Sequence, residues 1–413
     1  MLLTLSFILR QEELDNLRPF VSRLQRFFRN RRCRRITRRA LLDPDESPFM
    51  KMFNSGCMQS MITYTGFDHE SFNLLLDLFL PKFDSLSPYS TDGAVKRIIV
   101  GKGRHRKINA TQGLGLVLAW TRSKGEFIFS FVVFSYSCND LRHSLLFLYY
   151  ELLGNVIPLQ LDFGLSHSCL TLWLKFGIRI VCSVLSNHPL AWVRMPTPYE
   201  VASFQQASSA KYPLLHEVWG TCDGLKLDFE STDSDRIQRM YYNGWTHGHY
   251  ISNIFVFAMD GTIRICGLNA PGSMHDSNVA DYSAVYDKLE KIFLETGGKV
   301  VVDTAFRLGH GDFLIKSSQQ VLGDGIDADM AHDATSIRQS AEWGMAQFQA
   351  SFPRVTDKIK FEVDGERRIL LRTFVHLFNF RTNCVGCNQI RSVFMPHLEA
   401  EWFNVETMFA DNE

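Results

Sequence analysis

The stretch VWGTCDGLKLDF, from Val218 to Phe229, determines the fold prediction because it has the composition and spacing of a buried strand. Side chains alternate along a strand, so Asp223 shares a face with the apolar Leu225 and Leu227. A carboxylate among apolar side chains costs on the order of several kcal/mol unless a cation compensates its charge. The stretch therefore predicts a cation-binding aspartate or a structural one whose oxygens are hydrogen-bonded.

Two further stretches downstream also have strand character. Tyr250 to Ala270 reads YISNIFVFAMDGTIRICGLNA, which predicts a hairpin with its turn at Asp260 and Gly261. Lys299 to Phe306 reads KVVVDTAF, in which Asp303 closes an apolar run. Ligand sites of α/β sheets lie at the ends of strands, so this second aspartate is a site candidate, with a structural role as the alternative.

Helical patterns follow these strands, from about Ser336 to Phe352 and from Arg368 to Phe380. Ser336 and Gln339 predict a capping box at the start of the first helix. Glu342 lies one step off the buried stripe of that helix and four residues after Arg338. The Glu342 carboxylate can point toward the strand ends or form an ordinary surface ion pair with this arginine. Strands followed by helices predict an α/β domain over residues 200–400.

Upstream of residue 190 the apolar spacing is helical. Phe67 to Phe83 reads FDHESFNLLLDLFLPKF, with Asp68 as its predicted N-cap. Leu159 to Leu185 fits a helix-turn-helix with Gly164 in the turn and Ser166 as a cap, although an ordinary helical hairpin has the same pattern. The outward-facing residues of its second helix, predicted to contact DNA, are His167, Ser168, Thr171 and Lys175.

Two basic stretches lie in the first quarter of the chain. Arg23 to Arg39 reads RLQRFFRNRRCRRITRR and contains no acid, and Lys96 to Lys107 reads KRIIVGKGRHRK. Such blocks bind phosphate backbones or act as nuclear import signals, whereas a solvated tail is the alternative for one block alone. Two blocks favour a nucleic acid as partner and the nucleus as location. The predicted DNA-binding arginines are Arg31, Arg32, Arg34 and Arg35.

Composition divides the chain into three regions. Residues 1–60 are predicted to be a flexible basic arm, residues 61–190 a helical DNA-binding region and residues 200–400 the α/β domain, with a linker from Pro189 to Pro198. Residues 126–158 are rich in Phe, Leu, Tyr and Ser. They interrupt the helical region as an insertion or as an extra pair of helices.

The overall composition excludes several classes of protein. The chain has 413 residues, 46% of them hydrophobic, and a formal net charge of +0, which excludes disorder throughout. Its apolar runs fall short of the roughly 18 residues of a membrane-spanning helix. Met1 to Leu9 is apolar but lacks the basic start and cleavage site of a signal peptide. Nine scattered cysteines indicate a reducing compartment.

In their order along the chain, several motifs resemble the PIF/Harbinger-type transposases, a group of DDE superfamily endonucleases. The matching stretches are WGTCDG (219–224), NAPGSMHDSNV (269–279), VVDTAF (301–306), SIRQSAEWGMAQFQASFPR (336–354) and HLFNFRTNCVGCNQI (376–390). The resemblance spans roughly residues 160–395. It implies a ribonuclease-H-like catalytic core preceded by a helical DNA-binding region with a helix-turn-helix.

The resemblance also implies a catalytic site. Asp223, Asp303 and Glu342 match the triad of the family and would hold two Mg²⁺ or Mn²⁺ ions, hard cations that suit carboxylate ligands. His275 and Asp276 fall on the family motif Gly-Ser-x-His-Asp, where the pair would support the metal site or position the strand. Arg338 is a further supporting residue. The implied activity is phosphodiester cleavage at the ends of a transposon followed by strand transfer. The alternative is a domesticated, catalytically silent DNA-binding protein that retains the fold.

Partners follow from the same resemblance. The family often works with a separate Myb-like DNA-binding protein, and a homo-oligomer is a further expectation. Two departures from the family pattern bear on activity more than on fold. Residues 126–158 interrupt the DNA-binding region, and the segment before Glu342 is short and acidic, with GDGIDADMAHD at residues 323–333.

Overall fold

The computed structural model describes residues 36, 38–88, 96–97, 106–124, 156–230, 235–306, 312–316, 326–359 and 364–396. Three predictions fall wholly outside these residues and stay predictions. They concern the apolar segment 1–9, residues 126–155 of the interrupting segment, and the four arginines Arg31, Arg32, Arg34 and Arg35.

The helical region contains six described helices. They are α1 (Pro48–Asn54), α2 (Met58–Thr65), α3 (His69–Ser85), α4 (Ala110–Arg122), α5 (Val156–Asp162) and α6 (His167–Leu185). Two short strands, β1 (Leu86–Ser87) and β2 (Lys96–Arg97), pair antiparallel beside α3. Phe49 of α1 is fully buried, so packed structure begins inside the segment 1–60 that was predicted to be a flexible arm.

Local signals in the sequence explain where these helices begin. The Asp68 carboxylate accepts a 2.7 Å hydrogen bond from Ser71 N–H, which confirms the predicted N-cap of α3. Gly164 has a φ of 62° in the α5–α6 turn, a left-handed conformation that favours glycine. Ser166 precedes α6 without a side-chain cap. The four residues predicted to face outward from α6 are exposed: His167, Ser168, Thr171 and Lys175.

Helix α6 packs in the core of the helical region. Among the described helices it alone is long and apolar enough to cross a membrane. However, Trp173 is fully buried, with its ring 5.6 Å from Phe83 and 5.7 Å from Phe176. Core helices pass the same test of length and composition, so the hydropathy of α6 reflects packing against protein.

The α/β domain follows the predicted linker. Its strands are β3 (Val218–Asp228), β4 (Tyr242–Asn243), β5 (Gly248–Ala258), β6 (Ile263–Pro271), β7 (Lys299–Val302) and β8 (Leu314–Lys316). Its helices are α7 (Pro198–Lys211), α8 (Asp235–Tyr241), α9 (Asp276–Tyr282), α10 (Val285–Thr296), α11 (Ile326–Ser351), α12 (Asp364–Cys384) and α13 (Gln389–Phe394). The predicted strands and the Asp260–Gly261 turn are confirmed, and Gly261 has a φ of 79°.

The described strands of this domain form one mixed sheet. Strand β3 lies at its centre, antiparallel to β5 on one side and parallel to β7 on the other. Beyond β5 the sheet continues with antiparallel β6 and, at the start of β5, with β4. Beyond β7 it ends at parallel β8. The carboxyl ends of β3, β7 and β8 therefore point to the same edge.

Helices cover both faces of the sheet. On one face, Phe348 of α11 packs between Phe255 of β5 and Phe378 of α12, at ring distances of 5.3 and 5.6 Å. On the other face, Asp276 of α9 lies against Gly224 of β3. At the start of that strand, the Ser208 hydroxyl of α7 donates to the carbonyl of Val218. The same α12 contacts α6, so one continuous core joins the helical region to the sheet.

Two helices differ from their predictions. Helix α11 begins at Ile326, so Ser336 and Gln339 lie inside it and form no capping box. Residues 326–335 contain three alanines and neither proline nor glycine, so the helix extends through them toward its N-terminus. Helix α7 was missed altogether, although Thr197 and Glu200 form a capping box with Pro198 at the first turn.

Candidate active site

The strand register brings two of the predicted acids together. Cys222 of β3 pairs with Val302 of the parallel strand β7. Asp223 follows Cys222 and Asp303 follows Val302 in the chain. Adjacent parallel strands lie about 4.8 Å apart, so these two aspartates are neighbours at the carboxyl edge of β7. Each receives a 2.7 Å backbone hydrogen bond, Asp223 from Gly224 N–H and Asp303 from Thr304 N–H.

Helix α11 brings the third predicted acid to the same face of β3. The hydroxyls of Thr221 and Ser340 lie 2.9 Å apart in the core and fix the helix against the strand. Arg338, two residues before Ser340, lies between two carboxylates. Its guanidinium is 2.9 Å from Glu342 and 3.9 Å from Asp223. Arg338 thus connects the helical acid to the strand acid.

The electrostatics of Asp223 distinguish it from an ordinary strand residue. Its side chain is 16% exposed, and burial raises its pKa to about 6. The Gly224 N–H and the Arg338 charge oppose this rise in pKa, whereas the negative charges of Asp303 and Asp276 add to it. The carboxylate is therefore held among like charges with a single arginine as partial compensation.

Asp276 approaches β3 from the other face. A Cβ atom on Gly224 would lie only 2.6 Å from the Asp276 Cγ, so the carboxylate rests on the bare backbone of this glycine. Since side chains alternate, Asp276 and Asp223 flank the strand from opposite sides. Burial raises the pKa of Asp276; the charges of Lys226 and His275 lower it, and the charge of Asp303 raises it.

The donor chemistry of the site fits a hard divalent cation. Asp223 and Asp303 offer carboxylate oxygens from adjacent strands, and Arg338, at 3.9 Å, compensates the Asp223 charge only in part. Glu342 is 51% exposed and engaged by Arg338. Within the described part of the chain, no three His, Cys, Asp or Glu side chains form a group of metal-site geometry. The bound arrangement of the three acids remains a prediction.

The sequence did not predict the contact of Asp276 with Gly224 or the charge beside it. The acid belongs to the 275–276 motif, but its contact with Gly224 brings together elements about fifty residues apart. Lys226 lies on the same face of β3, and its charge lowers the pKa of Asp276, an interaction that the sequence alone did not predict. One signal was available: a glycine inside a strand often marks a close approach of another group.

The comparisons with known proteins concern this same domain. Residues 222–379 match the model of a family described as DDE superfamily endonuclease. The matched segment includes Asp223, Asp303 and Glu342 together with the 275–276 motif. No curated protein and no solved structure matches the chain. The match and the mixed α/β fold support an endonuclease domain of transposase type, and endonucleases of this superfamily generally use divalent metal ions.

Proposed function

We propose that the protein is a transposon-derived, metal-dependent DNA endonuclease that cleaves phosphodiester bonds at element ends and transfers the strands. The observation that carries the proposal is the register of β3 and β7, which makes Asp223 and Asp303 neighbours. The match to DDE superfamily endonucleases covers both residues. The third acid, Glu342, reaches the same face through Arg338.

The finer class of the fold is part of the proposal. The antiparallel strands β6, β5 and β3 continue into the parallel strands β7 and β8, an order that supports a ribonuclease-H-like core. Helix α5, its glycine turn and the exposed face of α6 support a helix-turn-helix. The motif order supports membership of the PIF/Harbinger group.

Asp223, Asp303 and Glu342 would hold two divalent ions, Mg²⁺ or Mn²⁺. Such ions supply Lewis acidity toward a phosphoryl oxygen and activate a water or hydroxyl for attack. The residues of the chain have separate tasks. Asp223 and Asp303 present oxygens from rigid strands, and Arg338 neutralises Glu342 and moderates the Asp223 charge in the absence of ions. Asp276, on the opposite face of β3, fixes the backbone at Gly224.

DNA contact is proposed at two places outside the catalytic site. The first is the exposed face of α6 with His167, Ser168, Thr171 and Lys175. The second is the arginine-rich arm with Arg31, Arg32, Arg34 and Arg35. Cations on phosphates release counterions, so such an arm gives salt-dependent affinity. We further propose a nuclear location, a homo-oligomeric state and a Myb-like protein partner.

A catalytically silent DNA-binding protein with the same fold is the second candidate. The observation that favours it is the Arg338–Glu342 pair, which occupies the helical acid. The two candidates differ in one respect that is directly measurable. The enzyme requires Glu342 to leave Arg338 for a metal ion, whereas the silent protein keeps the pair permanently.

A nicking assay separates these candidates. The purified full chain would be incubated with Mg²⁺ or Mn²⁺ and DNA that carries the ends of the element, and strand breaks would be counted. We expect cleavage by the wild type and none by Asp223→Asn, Asp303→Asn or Glu342→Gln. Asp228→Asn is the matched control, because Asp228 is exposed at the end of the same strand. Equal cleavage by the wild type and the three site variants would refute the nuclease proposal.

A further inference from the structure

We propose that the turn between β4 and β5 is a base-stacking contact for DNA, with Trp245 as the stacking side chain and two arginines of α8 as phosphate contacts. This inference rests on the proposed function, because it concerns the DNA strand on which the carboxylates would act. It adds a site that none of the sequence motifs indicated. The partner class is a single-stranded or locally unstacked DNA segment.

Trp245 is 92% exposed, the most exposed of the large hydrophobic residues that the structure describes. Trp173 and Trp219 are fully buried, and Trp192 is 38% exposed. An indole gains much free energy from burial, so a nearly naked one indicates a surface whose partner is another molecule. Met240 and Tyr242, which precede Trp245 in the chain by five and three residues, are exposed as well.

The turn that carries Trp245 is held rigidly. Asn243 is 8% exposed, and its side-chain oxygen accepts hydrogen bonds from Trp245 N–H at 3.0 Å and Thr246 N–H at 3.2 Å. Its amide nitrogen donates to the Gly272 carbonyl at 3.0 Å. The Tyr242 hydroxyl and His247 Nδ1 lie 3.3 Å apart across the turn. A buried asparagine therefore fixes the backbone while the indole stays outside, which preorganises a contact.

Further hydrogen bonds connect this part of the chain to the candidate active site. Ser273 donates to the Met240 carbonyl from its N–H at 3.3 Å and from its hydroxyl at 2.9 Å. Gly272 lies four residues before Asp276, and four residues of chain span at most about 14 Å. The turn and Asp276 thus belong to one braced loop system at the carboxyl edge of β3.

The charge near Trp245 is complementary to a nucleic acid. Arg236 and Arg239 are exposed on α8, and neither forms an ion pair with a described residue. Asp235, at the start of α8, is the one acid of this helix. A cationic surface with an aromatic side chain is the usual construction for single-stranded DNA, in which phosphates contact cations and bases stack on rings. A purely apolar partner would leave both arginines without a counter-charge.

Fluorescence anisotropy with a labelled single-stranded oligonucleotide tests the proposal in metal-free buffer, where no cleavage occurs. We expect Trp245→Ala to weaken binding about tenfold, because one stacked base is lost. Trp245→Phe should retain most of the affinity. The matched control is Tyr199→Ala, which removes another aromatic side chain, 84% exposed, from helix α7. It should leave binding unchanged.

A second arm tests the phosphate contacts. Replacing Arg236 and Arg239 by glutamine should flatten the dependence of affinity on salt by up to roughly 1.4 logarithmic units per decade, since each lost contact on a single strand is worth about 0.7. Binding by Trp245→Ala within twofold of the wild type would overturn the proposal. The proposal would also be overturned if Trp245→Ala lost self-association, measured by sedimentation, and kept its DNA affinity. The turn would then contact a second copy of the chain.

Failure of this proposal and failure of the nuclease proposal give different results. Cleavage that survives in Asp223→Asn refutes the proposed function whatever Trp245 does. Abolished cleavage in Asp223→Asn, with unchanged binding by Trp245→Ala, refutes the stacking contact alone.

Discussion

Two partly buried aspartates, one in each region of the molecule, have raised pKa values for the same first reason, burial. In the helical region, Asp162 accepts a 2.6 Å hydrogen bond from the Tyr64 hydroxyl, and this bond opposes the rise. In the sheet, Asp223 has one backbone donor, an arginine at 3.9 Å and two acids that add to its rise. Burial alone therefore does not mark a site. Burial without adequate compensation does.

The largest expected difference between these aspartates is in catalysis. We expect Asp223→Asn to reduce nicking at least about a thousandfold, because the metal contribution to the transition state is worth several kcal/mol. Asp162→Asn keeps an oxygen that accepts from Tyr64, so it should nick DNA within about twofold of the wild type. The measurement is the initial rate of nicking at saturating Mg²⁺. Similar losses in both variants would show that the difference between the two sites has no catalytic meaning.

The sequence alone predicted the strand half of the site. Asp223 and Asp303 could be found because each interrupts an apolar strand pattern, and that pattern depends only on neighbours in the chain. The strands β3 and β7 and the β5–β6 hairpin were predicted for the same reason. The start of α11 was wrong because a capping pair at Ser336 and Gln339 fits the interior of a longer helix equally well.

The remaining parts of the site depend on tertiary contacts. Arg338 was placed beside Glu342 by its spacing on a helix, but its contact with Asp223 requires α11 to lie across β3. Asp276 rests on Gly224 only because the loop after β6 returns to the central strand. No periodicity in the sequence encodes that return.

The second expected effect is on stability without metal. The pKa of Asp223 is about 6 in the folded chain, above its ordinary value of 3.8, so the folded state binds this proton more tightly than the unfolded state. The contribution of this carboxyl to the free energy of unfolding should be largest below about pH 4 and fall as the pH rises toward 6. Asp223→Asn should remove up to about 3 kcal/mol of this fall. Urea unfolding in EDTA from pH 4 to pH 7 measures it.

Part of that pH dependence will remain in the variant. The pKa values of Asp276 and Asp162 are also raised, so both carboxyls contribute with the same sign. Mg²⁺ or Mn²⁺ should stabilise the wild type at pH 7 by mass action, and Asp223→Asn much less. An identical pH profile in the wild type and Asp223→Asn would show that this carboxylate is adequately compensated.

The third expected effect concerns the close approach at β3. Gly224→Ala places a methyl group in the space of the Asp276 carboxylate, which should cost about 1–3 kcal/mol of stability and also reduce nicking. Gly365→Ala is the control, because nothing lies within 4 Å of its Cβ position in α12. Alanine in that helix should stabilise by up to about 1 kcal/mol. Thermal unfolding measures both variants. Equal changes in melting temperature would show that the Asp276 side chain moves aside without a cost in stability.

The smallest expected change in stability is also the most discriminating test of compensation at Asp223. Arg338→Gln removes an i,i+4 pair with the half-exposed Glu342, which by itself is worth only about 0.3–0.5 kcal/mol. Lys291→Gln is the matched control, because Lys291 forms an i,i+4 pair with Glu295 on α10.

Both variants should therefore lose little stability at pH 4, where Asp223 is protonated. They should separate as the pH rises, because the Arg338 charge lowers the pKa of Asp223. Without it that pKa rises further, and the metal-free fall in stability should extend to a higher pH in Arg338→Gln but not in Lys291→Gln. Coincident profiles would mean that Arg338 serves Glu342 alone, and the link from the helical acid to the strand acid would be lost.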